Sequence, residues 1–161
     1  MRAVVIGSGI AGVRVAEELH RRGCSVSVLG AERRRPYNRI LLSSVLAGAA
    51  RETDVVLPEP AGVEVRRGVA AVSIDRRRRL VTAADGSTTP YDALVLATGS
   101  RPWLPQIPGL TSEDGDLVHG ATTFRTMADC RRIMTSPAHR AVVLGGGLLG
   151  VEAACGLAAR G

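Results

Sequence analysis

The sequence contains no lysine: all 21 of its basic side chains are arginines, set against 15 acidic residues. Aromatic residues make up only 2% of the chain, so Val, Leu, Ile and Ala must form the hydrophobic core. Proteins that bind single-stranded nucleic acid stack its bases on aromatic side chains placed among basic residues. No aromatic residue is interleaved in the arginine runs at residues 33–35 and 76–79. We therefore interpret the net charge of +6 as a solvated basic surface and expect no nucleic-acid partner.

Cysteine is scarce as well, and long apolar segments are missing. Cys24, Cys130 and Cys155 lie far apart and form neither a C-x-x-C pair nor a zinc-binding pattern, so we expect no metal site. No segment approaches the run of about 18 apolar residues that indicates a transmembrane helix. The N-terminus lacks the charged and then apolar regions of a secretory signal. We therefore expect a cytoplasmic protein without membrane contact.

The sequence does contain two glycine-rich motifs, G-S-G-I-A-G at residues 7–12 and G-G-G-L-L-G at residues 145–150. Each follows a short apolar run and precedes an amphipathic stretch, which is the strand-turn-helix context of a dinucleotide site. The first glycine permits a tight turn, the second lets the backbone approach a pyrophosphate, and the third lets the helix pack on the strand. A purely structural turn is the alternative for either motif alone, but two motifs in matching contexts favour two nucleotide sites. The residues predicted to bind are Gly7, Gly9, Ile10, Ala11 and Gly12 in the first motif, and Gly145, Gly147 and Gly150 in the second.

Hydrophobic periodicity predicts alternating strands and helices around these motifs. Gly23 is expected to cap the first helix, and Thr126 the third. Three prolines within residues 101–109 indicate a semi-rigid linker. The predicted elements are strands at residues 3–6, 25–29, 93–96 and 141–144, and helices at residues 10–22, 40–46, 126–134 and 148–159.

Between the second and third of these strands the pattern changes to short alternating stretches. They lie at residues 63–65, 69–74 and 80–83, and Asp85-Gly86 supplies a hairpin turn. We therefore predict an antiparallel β-meander inserted into the α/β unit.

The fold class predicted from these patterns is α/β. A Rossmann-like nucleotide-binding unit with the inserted meander should occupy residues 1–108, and the first strand and helix of a second Rossmann-like unit should occupy residues 109–161. On this interpretation the chain ends before the strand that would carry the ribose-binding acid of the second unit. We expect such a segment, alone, to retain FAD weakly, to lack nicotinamide affinity and turnover, and to self-associate. Truncation near Pro108 should relieve that association.

Glu32 lies twenty residues after Gly12, at the end of the second predicted strand. A carboxylate at this place can accept hydrogen bonds from both ribose hydroxyls of an adenine dinucleotide. A glutamate that only faces solvent is the alternative.

Two further segments carry a resemblance to a known family. They are Y-N-R-I-L-L-S-S-V-L-A-G at residues 37–48 and Y-D-A-L-V-L-A-T-G-S-R-P at residues 91–102. In this order, with the first motif, Glu32 and the meander, they resemble FAD-dependent pyridine-nucleotide oxidoreductases over essentially the whole chain. The first segment is most similar to the flavoprotein part of the large subunit of NAD(P)H-dependent nitrite reductases, to which rubredoxin and ferredoxin reductases are related.

This resemblance implies roles for individual residues. The first motif would bind FAD and the second NAD(P)H, with Arg101 also among the cofactor-binding residues. Arg39 would pair with the FAD phosphates or the flavin edge, unless it is a salt-bridged surface arginine. The turn at Thr98 and Gly99 would pass against the dinucleotide, unless it merely ends a strand. Glu152 would lie near the nicotinamide, although an acid favoured by the helix dipole is the alternative.

Two departures from the family pattern bear on the chemistry. Ser44 stands where related ferredoxin reductases commonly have lysine, so an ion pair near the flavin is missing. Residues 37–50 contain no cysteine, whereas disulfide reductases carry a C-x-x-x-x-C pair there. Thiol–disulfide exchange is therefore not expected, and electrons should leave through the flavin itself.

The resemblance thus implies an enzyme that passes a hydride from NAD(P)H to FAD and electrons on to an acceptor. That acceptor would be a sirohaem and iron–sulfur module in the nitrite reductase type, or a small electron carrier in the rubredoxin or ferredoxin reductase type. A flavin-binding module without turnover is the alternative from another class. The cofactor carries the hydride step, so no catalytic side chain is expected. A homodimer is possible for the full-length protein.

Overall fold

The computed structural model describes all 161 residues of the chain. They divide into two compact units, each made from two segments. The first unit comprises Met1–Asn38 and Val56–Gly99, and the second comprises Arg39–Val55 and Ser100–Gly161. The boundary predicted at residue 108 stays a prediction, while the structure groups residues 39–55 with the C-terminal part of the chain.

A four-stranded parallel sheet forms the centre of the first unit. Its strands are β1 (Arg2–Ile6), β2 (Ser25–Gly30), β3 (Glu64–Arg67) and β7 (Ala93–Leu96), arranged in the order β3-β2-β1-β7. The middle strands are rich in valine, which suits a strand buried on both faces. Val5 and Val28 are fully buried, so β1 and β2 form the core. The three predicted parallel strands of this unit are confirmed.

Helix α1 (Ile10–Arg21) covers one face of this sheet with Ala16 and Leu19. It ends in a Schellman motif, in which Gly23 adopts a φ of +82° that favours glycine. The N–H of Gly23 donates to the carbonyl of His20 over 2.9 Å, and the N–H of Cys24 donates to Leu19 over 3.0 Å. This ending turns the chain directly into β2 and confirms the predicted helix.

A three-stranded antiparallel sheet lies on the other face. It consists of β4 (Ala71–Asp75), β5 (Leu80–Ala83) and β6 (Thr88–Pro90). Val81 of β5 is fully buried and packs with Val4 and Leu29 of the parallel sheet. Gly86, with a φ of +81°, makes the predicted hairpin turn between β5 and β6.

The meander prediction was wrong in one strand. Residues 63–65 were assigned to the meander, but β3 joins the parallel sheet beside β2. Alternation of apolar residues indicates that one face of a strand is buried without identifying the sheet that it joins. Here Val63 and Val65 pack in the cluster on the α1 side of the parallel sheet, which fixes β3 in that sheet.

The second unit is helical. Helix α2 (Leu42–Leu46) follows a single 3-10 turn and packs against both α3 (Met127–Met134) and α4 (Leu148–Arg160). Thr126 and Asp129 form the capping box that starts α3, as the sequence predicts. The buried side chains of this unit are those of Leu42, Val45, Leu46, Val55, Met127, Cys130 and Ala153.

The strand predicted at residues 141–144 does not form. These residues have no regular secondary structure, and Val142 and Leu144 are 86% and 62% exposed. A strand is held by hydrogen bonds to a neighbouring strand, and no strand of either sheet lies in the second unit. The helix predicted after the second glycine motif is confirmed as α4.

Candidate functional site

The first glycine motif lies at the carboxyl ends of the parallel strands. The N–H of Gly7 donates to the carbonyl of Leu29 at the end of β2 over 2.8 Å. The N–H of Ala97 donates to the carbonyl of Ile6 at the end of β1, also over 2.8 Å. Ligands of open α/β sheets bind at this edge, outside the carboxyl ends of the strands.

The physical reason for having glycine differs among the three glycine positions of the motif. Gly7 has a φ of +112°, and a Cβ atom there would overlap the carbonyl oxygen of Ala97. A Cβ atom at Gly12 would overlap the carbonyl oxygen of Gly7. At Gly9 a Cβ atom would meet no protein atom within 4 Å, and the φ of −73° is open to every residue. Protein packing therefore explains Gly7 and Gly12 but leaves Gly9 unexplained.

Gly9 is also the N-cap residue of α1, so the open space beside it adjoins the start of the helix. The first N–H groups of an α-helix, here those of Ile10 and Ala11, have no acceptor within the helix. The first turn of α1 contains no acidic side chain that would repel an anion. This end of the helix is therefore suited to bind a phosphate group.

Glu32 follows β2 at the same edge and is half-buried. Its backbone carbonyl accepts a hydrogen bond from the N–H of Gly68 over 3.0 Å. Its carboxylate accepts a hydrogen bond from the hydroxyl of Tyr37, with 2.9 Å between Tyr37 Oη and Glu32 Oε2. The glutamate is therefore held in place on both its backbone and its side chain.

The turn after β7 passes directly against the first motif. A Cβ atom at Gly7 would lie 3.1 Å from the backbone nitrogen of Thr98, in addition to its overlap with Ala97. Gly99 has a φ of +72°, which favours glycine. The first unit thus brings the turn, the motif and Glu32 to one edge of its parallel sheet. The predicted site residues in this group are Gly7, Gly9, Ile10, Ala11, Gly12, Glu32, Thr98 and Gly99.

The second glycine motif repeats the geometry of the first within the second unit. Gly145 has a φ of +115°, and Gly147 caps α4 with φ and ψ of −72° and 172°. A Cβ atom at Gly150 would overlap the carbonyl oxygen of Gly145, as Gly12 would with Gly7. Both motifs therefore build the same turn, although only the first is flanked by paired strands.

Arg39, Arg101 and Glu152 also lie in the second unit. Arg39 is half-buried, and its Nη1 atom donates to the backbone carbonyl of Arg125 over 3.1 Å. Arg101 is exposed. The helix dipole acts most strongly in the first turn of a helix. Glu152 is the fifth residue of α4 and so lies beyond that turn. This position weakens the alternative that the dipole alone accounts for Glu152.

Glu152 lines a cleft of about 360 Å³ between α2 and α4. Ser43, Ser44 and Cys155 line the same cleft. Ser44, which stands where related ferredoxin reductases commonly have lysine, thus lines the same cleft as Glu152. The structure therefore locates the departure from that pattern in one cleft of the second unit.

Comparison with known proteins agrees with this arrangement of motifs. The family model described as pyridine nucleotide-disulphide oxidoreductase matches residues 1–161. The chain belongs to this family. Family membership accounts for the order of elements from the first glycine motif to the second.

Two curated relatives and one solved structure illustrate the similarity. The chain is 39% identical to the assimilatory nitrate reductase electron transfer subunit of Bacillus subtilis, over 97% of this chain and 21% of that protein. It is 35% identical to the nitrite reductase [NAD(P)H] of Bacillus subtilis, over 96% of this chain and 20% of that protein. Putidaredoxin reductase, in its covalent complex with putidaredoxin, matches with 31% identity and a TM-score of 0.79, over 98% of this chain and 39% of the other. The chain spans about a fifth of the length of these curated relatives.

Although the family name refers to disulphides, the three cysteines of this member are free thiols. Cys24 and Cys130 are buried, and Cys155 is exposed. Burial raises the pKa of the Cys130 thiol, and the negative charge of Glu52 raises it further. Because the thiolate is the nucleophile, Cys130 is poorly suited to thiol chemistry.

We expect iodoacetamide to alkylate Cys155 in the native chain at least about tenfold faster than Cys130. Of these two thiols only Cys155 is exposed, and the raised pKa of Cys130 lowers its thiolate fraction. Peptide mass spectrometry after timed labelling measures both rates, and labelling in urea supplies the unfolded reference. Equal native rates at the two positions would contradict the burial of Cys130.

No three His, Cys, Asp or Glu side chains lie together in an arrangement that could hold a metal ion. None of the four α-helices combines the length and the apolar character that a bilayer crossing demands.

Sequence reasoning missed the contact of Tyr37 with Glu32, since a turn of irregular structure separates the two residues and no periodicity relates them.

Proposed function

We propose that these 161 residues are part of a longer NAD(P)H-dependent flavoenzyme. It would pass a hydride from NAD(P)H to FAD and then deliver electrons to an acceptor. The observation that carries this proposal is Gly9, whose missing side chain is explained by a ligand at the start of α1 and not by protein packing. Membership of the pyridine nucleotide-disulphide oxidoreductase family supports the same chemistry.

The residues of the first unit fit FAD. The motif leaves open space in front of Gly9 and presents the N–H groups of Ile10 and Ala11 to a pyrophosphate. Glu32, held by Tyr37, would accept the hydroxyls of the adenosine ribose. Thr98 and Gly99 would let the backbone pass close to the dinucleotide.

The residues of the second unit support a similar proposal for the nicotinamide nucleotide. Gly145, Gly147 and Gly150 build the same turn as the first motif and would bind the pyrophosphate of NAD(P)H. Glu152 would lie near the nicotinamide. Arg39 remains a proposed ligand of the FAD phosphates or the flavin edge, and Arg101 remains a proposed cofactor-binding residue.

Bound FAD supplies the hydride acceptor and the route for single electrons, so the chain itself needs no acid or base. Its residues bind and orient the two nucleotides. The absence of a cysteine pair from residues 37–50 favours electron exit without a disulfide. We therefore assign no catalytic side chain to this segment.

For the acceptor we favour the nitrite reductase type, in which a sirohaem and iron–sulfur module would receive the electrons. The resemblance of residues 37–43 supports this type. The similarity to the nitrite reductase [NAD(P)H] and to the assimilatory nitrate reductase electron transfer subunit of Bacillus subtilis supports it too. Similarity to putidaredoxin reductase supports the second candidate, a small electron carrier of the rubredoxin or ferredoxin type. We propose a cytoplasmic enzyme and a possible homodimer for either type.

Assays of the complete enzyme separate these candidates. NADH- or NADPH-dependent reduction of nitrite supports the first type, whereas reduction of a ferredoxin or rubredoxin without nitrite reduction supports the second. A flavin-binding protein that reduces neither these acceptors nor an artificial dye would instead be a module without turnover.

Substituting Glu32 tests the FAD site. We expect Glu32→Ala to weaken FAD binding at least about tenfold, because hydrogen bonds to a charged group contribute roughly 1.5–3 kcal/mol each. Titration of the apoenzyme with FAD measures the dissociation constant. The matched control is Glu64→Ala on β3, whose carboxylate accepts a bond from Ser27 Oγ over 2.6 Å and should not affect FAD binding. An unchanged dissociation constant for Glu32→Ala would mean that Glu32 does not contact the ribose.

A further inference from the structure

Tyr37 is a buried tyrosine whose hydroxyl is directed at the carboxylate of Glu32. The side chain is only 5% exposed, and its hydroxyl oxygen lies 2.9 Å from Glu32 Oε2. Five residues separate the two in sequence, with three exposed or half-exposed arginines between them. The aliphatic part of Arg33, the first of these arginines, lies over the backbone of Gly68.

The backbone around both residues is fixed independently of this bond. Tyr37 forms an antiparallel bridge with Val56, and the N–H of Leu57 donates to the carbonyl of Pro36 over 2.8 Å. The backbone of Glu32 is bonded to Gly68. The hydrogen bond between the side chains therefore joins two anchored points and restricts the rotation of the carboxylate.

We propose that Tyr37 is a positioning residue that fixes the Glu32 carboxylate for the ribose hydroxyls of an adenine dinucleotide. This inference rests on the proposed function of Glu32. A glutamate that is already ordered loses less side-chain entropy when the ligand binds, and the neutral hydroxyl donor stabilises the carboxylate without neutralising its charge. Tyr37 thus acts through Glu32 and needs no contact with the ligand.

The test is a double-mutant cycle in the complete enzyme with two ligands. Apoenzyme carrying Tyr37→Phe, Glu32→Ala or both is titrated with FAD and with an FAD analogue that lacks the 2′- and 3′-hydroxyls of the adenosine ribose. We expect Tyr37→Phe to weaken FAD binding about three- to tenfold, because an unrestrained Glu32 side chain must then be ordered when FAD binds. Adding it to Glu32→Ala should have no further effect. With the analogue, the wild type and Tyr37→Phe should bind equally.

The control variant is Tyr91→Phe, which changes the only other tyrosine, a buried residue of the same unit. It should leave the affinity for both ligands unchanged. If Tyr37→Phe weakens FAD and the analogue equally, Tyr37 merely supports the fold and the inference is overturned. Additive losses in the double variant overturn it too. If Glu32→Ala itself leaves FAD binding unchanged, the ribose contact of the proposed function is wrong. If Glu32→Ala weakens FAD binding but Tyr37→Phe does not, only the role of Tyr37 is wrong.

Discussion

Replacing Gly9 with valine is expected to abolish FAD binding while the apoprotein stays folded. No protein atom lies within 4 Å of the added Cβ, and the backbone angles at Gly9 are those of an extended residue that valine adopts readily. Exchange of glycine for valine at a helix N-cap typically costs about 1 kcal/mol of stability. The branched side chain would, however, occupy the space that a pyrophosphate needs at the start of α1. The flavin absorbance of the purified complete enzyme, together with its circular dichroism, measures both effects.

Two further glycines give matched controls for this prediction. Gly147→Val makes the same change at the N-cap of α4, where the geometry is the same and no atom lies within 4 Å. It should leave FAD bound and weaken only the nicotinamide nucleotide. Gly12→Ala should instead destabilise the fold, since its Cβ would overlap the Gly7 carbonyl. Stoichiometric FAD in folded Gly9→Val enzyme would refute the assignment of the first motif.

The core of the first unit could be predicted from sequence because its signals are local and strong. Continuous apolar runs indicate strands buried on both faces, and the glycine motif defines the turn into α1. Gly23 and the Thr126 capping box gave the helix boundaries correctly because each follows from backbone hydrogen bonding within a few residues. Such features depend little on distant parts of the chain.

The misassigned strands depend on partners that are distant in sequence. The alternation of Val63 and Val65 fits either sheet, and only the packing of these two valines on the α1 side decides which sheet β3 joins. Residues 141–144 have the apolar composition of a buried strand, but a strand needs a neighbour to bond with. Composition therefore predicted the tendency of these residues to form strands, but it did not predict which strand, if any, they would pair with.

In the candidate site, too, some features could be predicted from local sequence and others depended on the folded structure. Spacing from Gly12 placed Glu32 at the end of β2, because strand and helix lengths in a βαβ unit vary little. Tyr37 could not be found in this way, since the irregular turn after Glu32 has no period. Gly9 was assigned by the motif, but the physical argument that a ligand explains it required the surrounding atoms to be located.

The apolar surface residues at and just before the start of α4 are Val142, Leu144, Leu148 and Val151, which are 86%, 62%, 78% and 52% exposed. Clustered exposed apolar side chains favour association. Truncation after residue 108 would not remove this tendency cleanly, because α2 packs against α3 and α4 and its buried Leu42 and Leu46 would lose their cover. Point substitutions within the surface therefore give the sharper test.

We expect the 161-residue segment, expressed alone, to self-associate at micromolar concentrations. The double variant Leu148→Asp/Val151→Glu should weaken that association at least about tenfold, because burying each of these side chains contributes roughly 1.5–3 kcal/mol. The acidic residues lie in the first turn or so of α4, where the helix dipole favours them, so the helix should persist. Sedimentation velocity at several concentrations measures the association. Val72→Glu, a control at a 62% exposed valine of β4, should leave it unchanged. A segment that stays monomeric throughout, or an equal response to both sets of substitutions, would show that the surface at the start of α4 does not drive association.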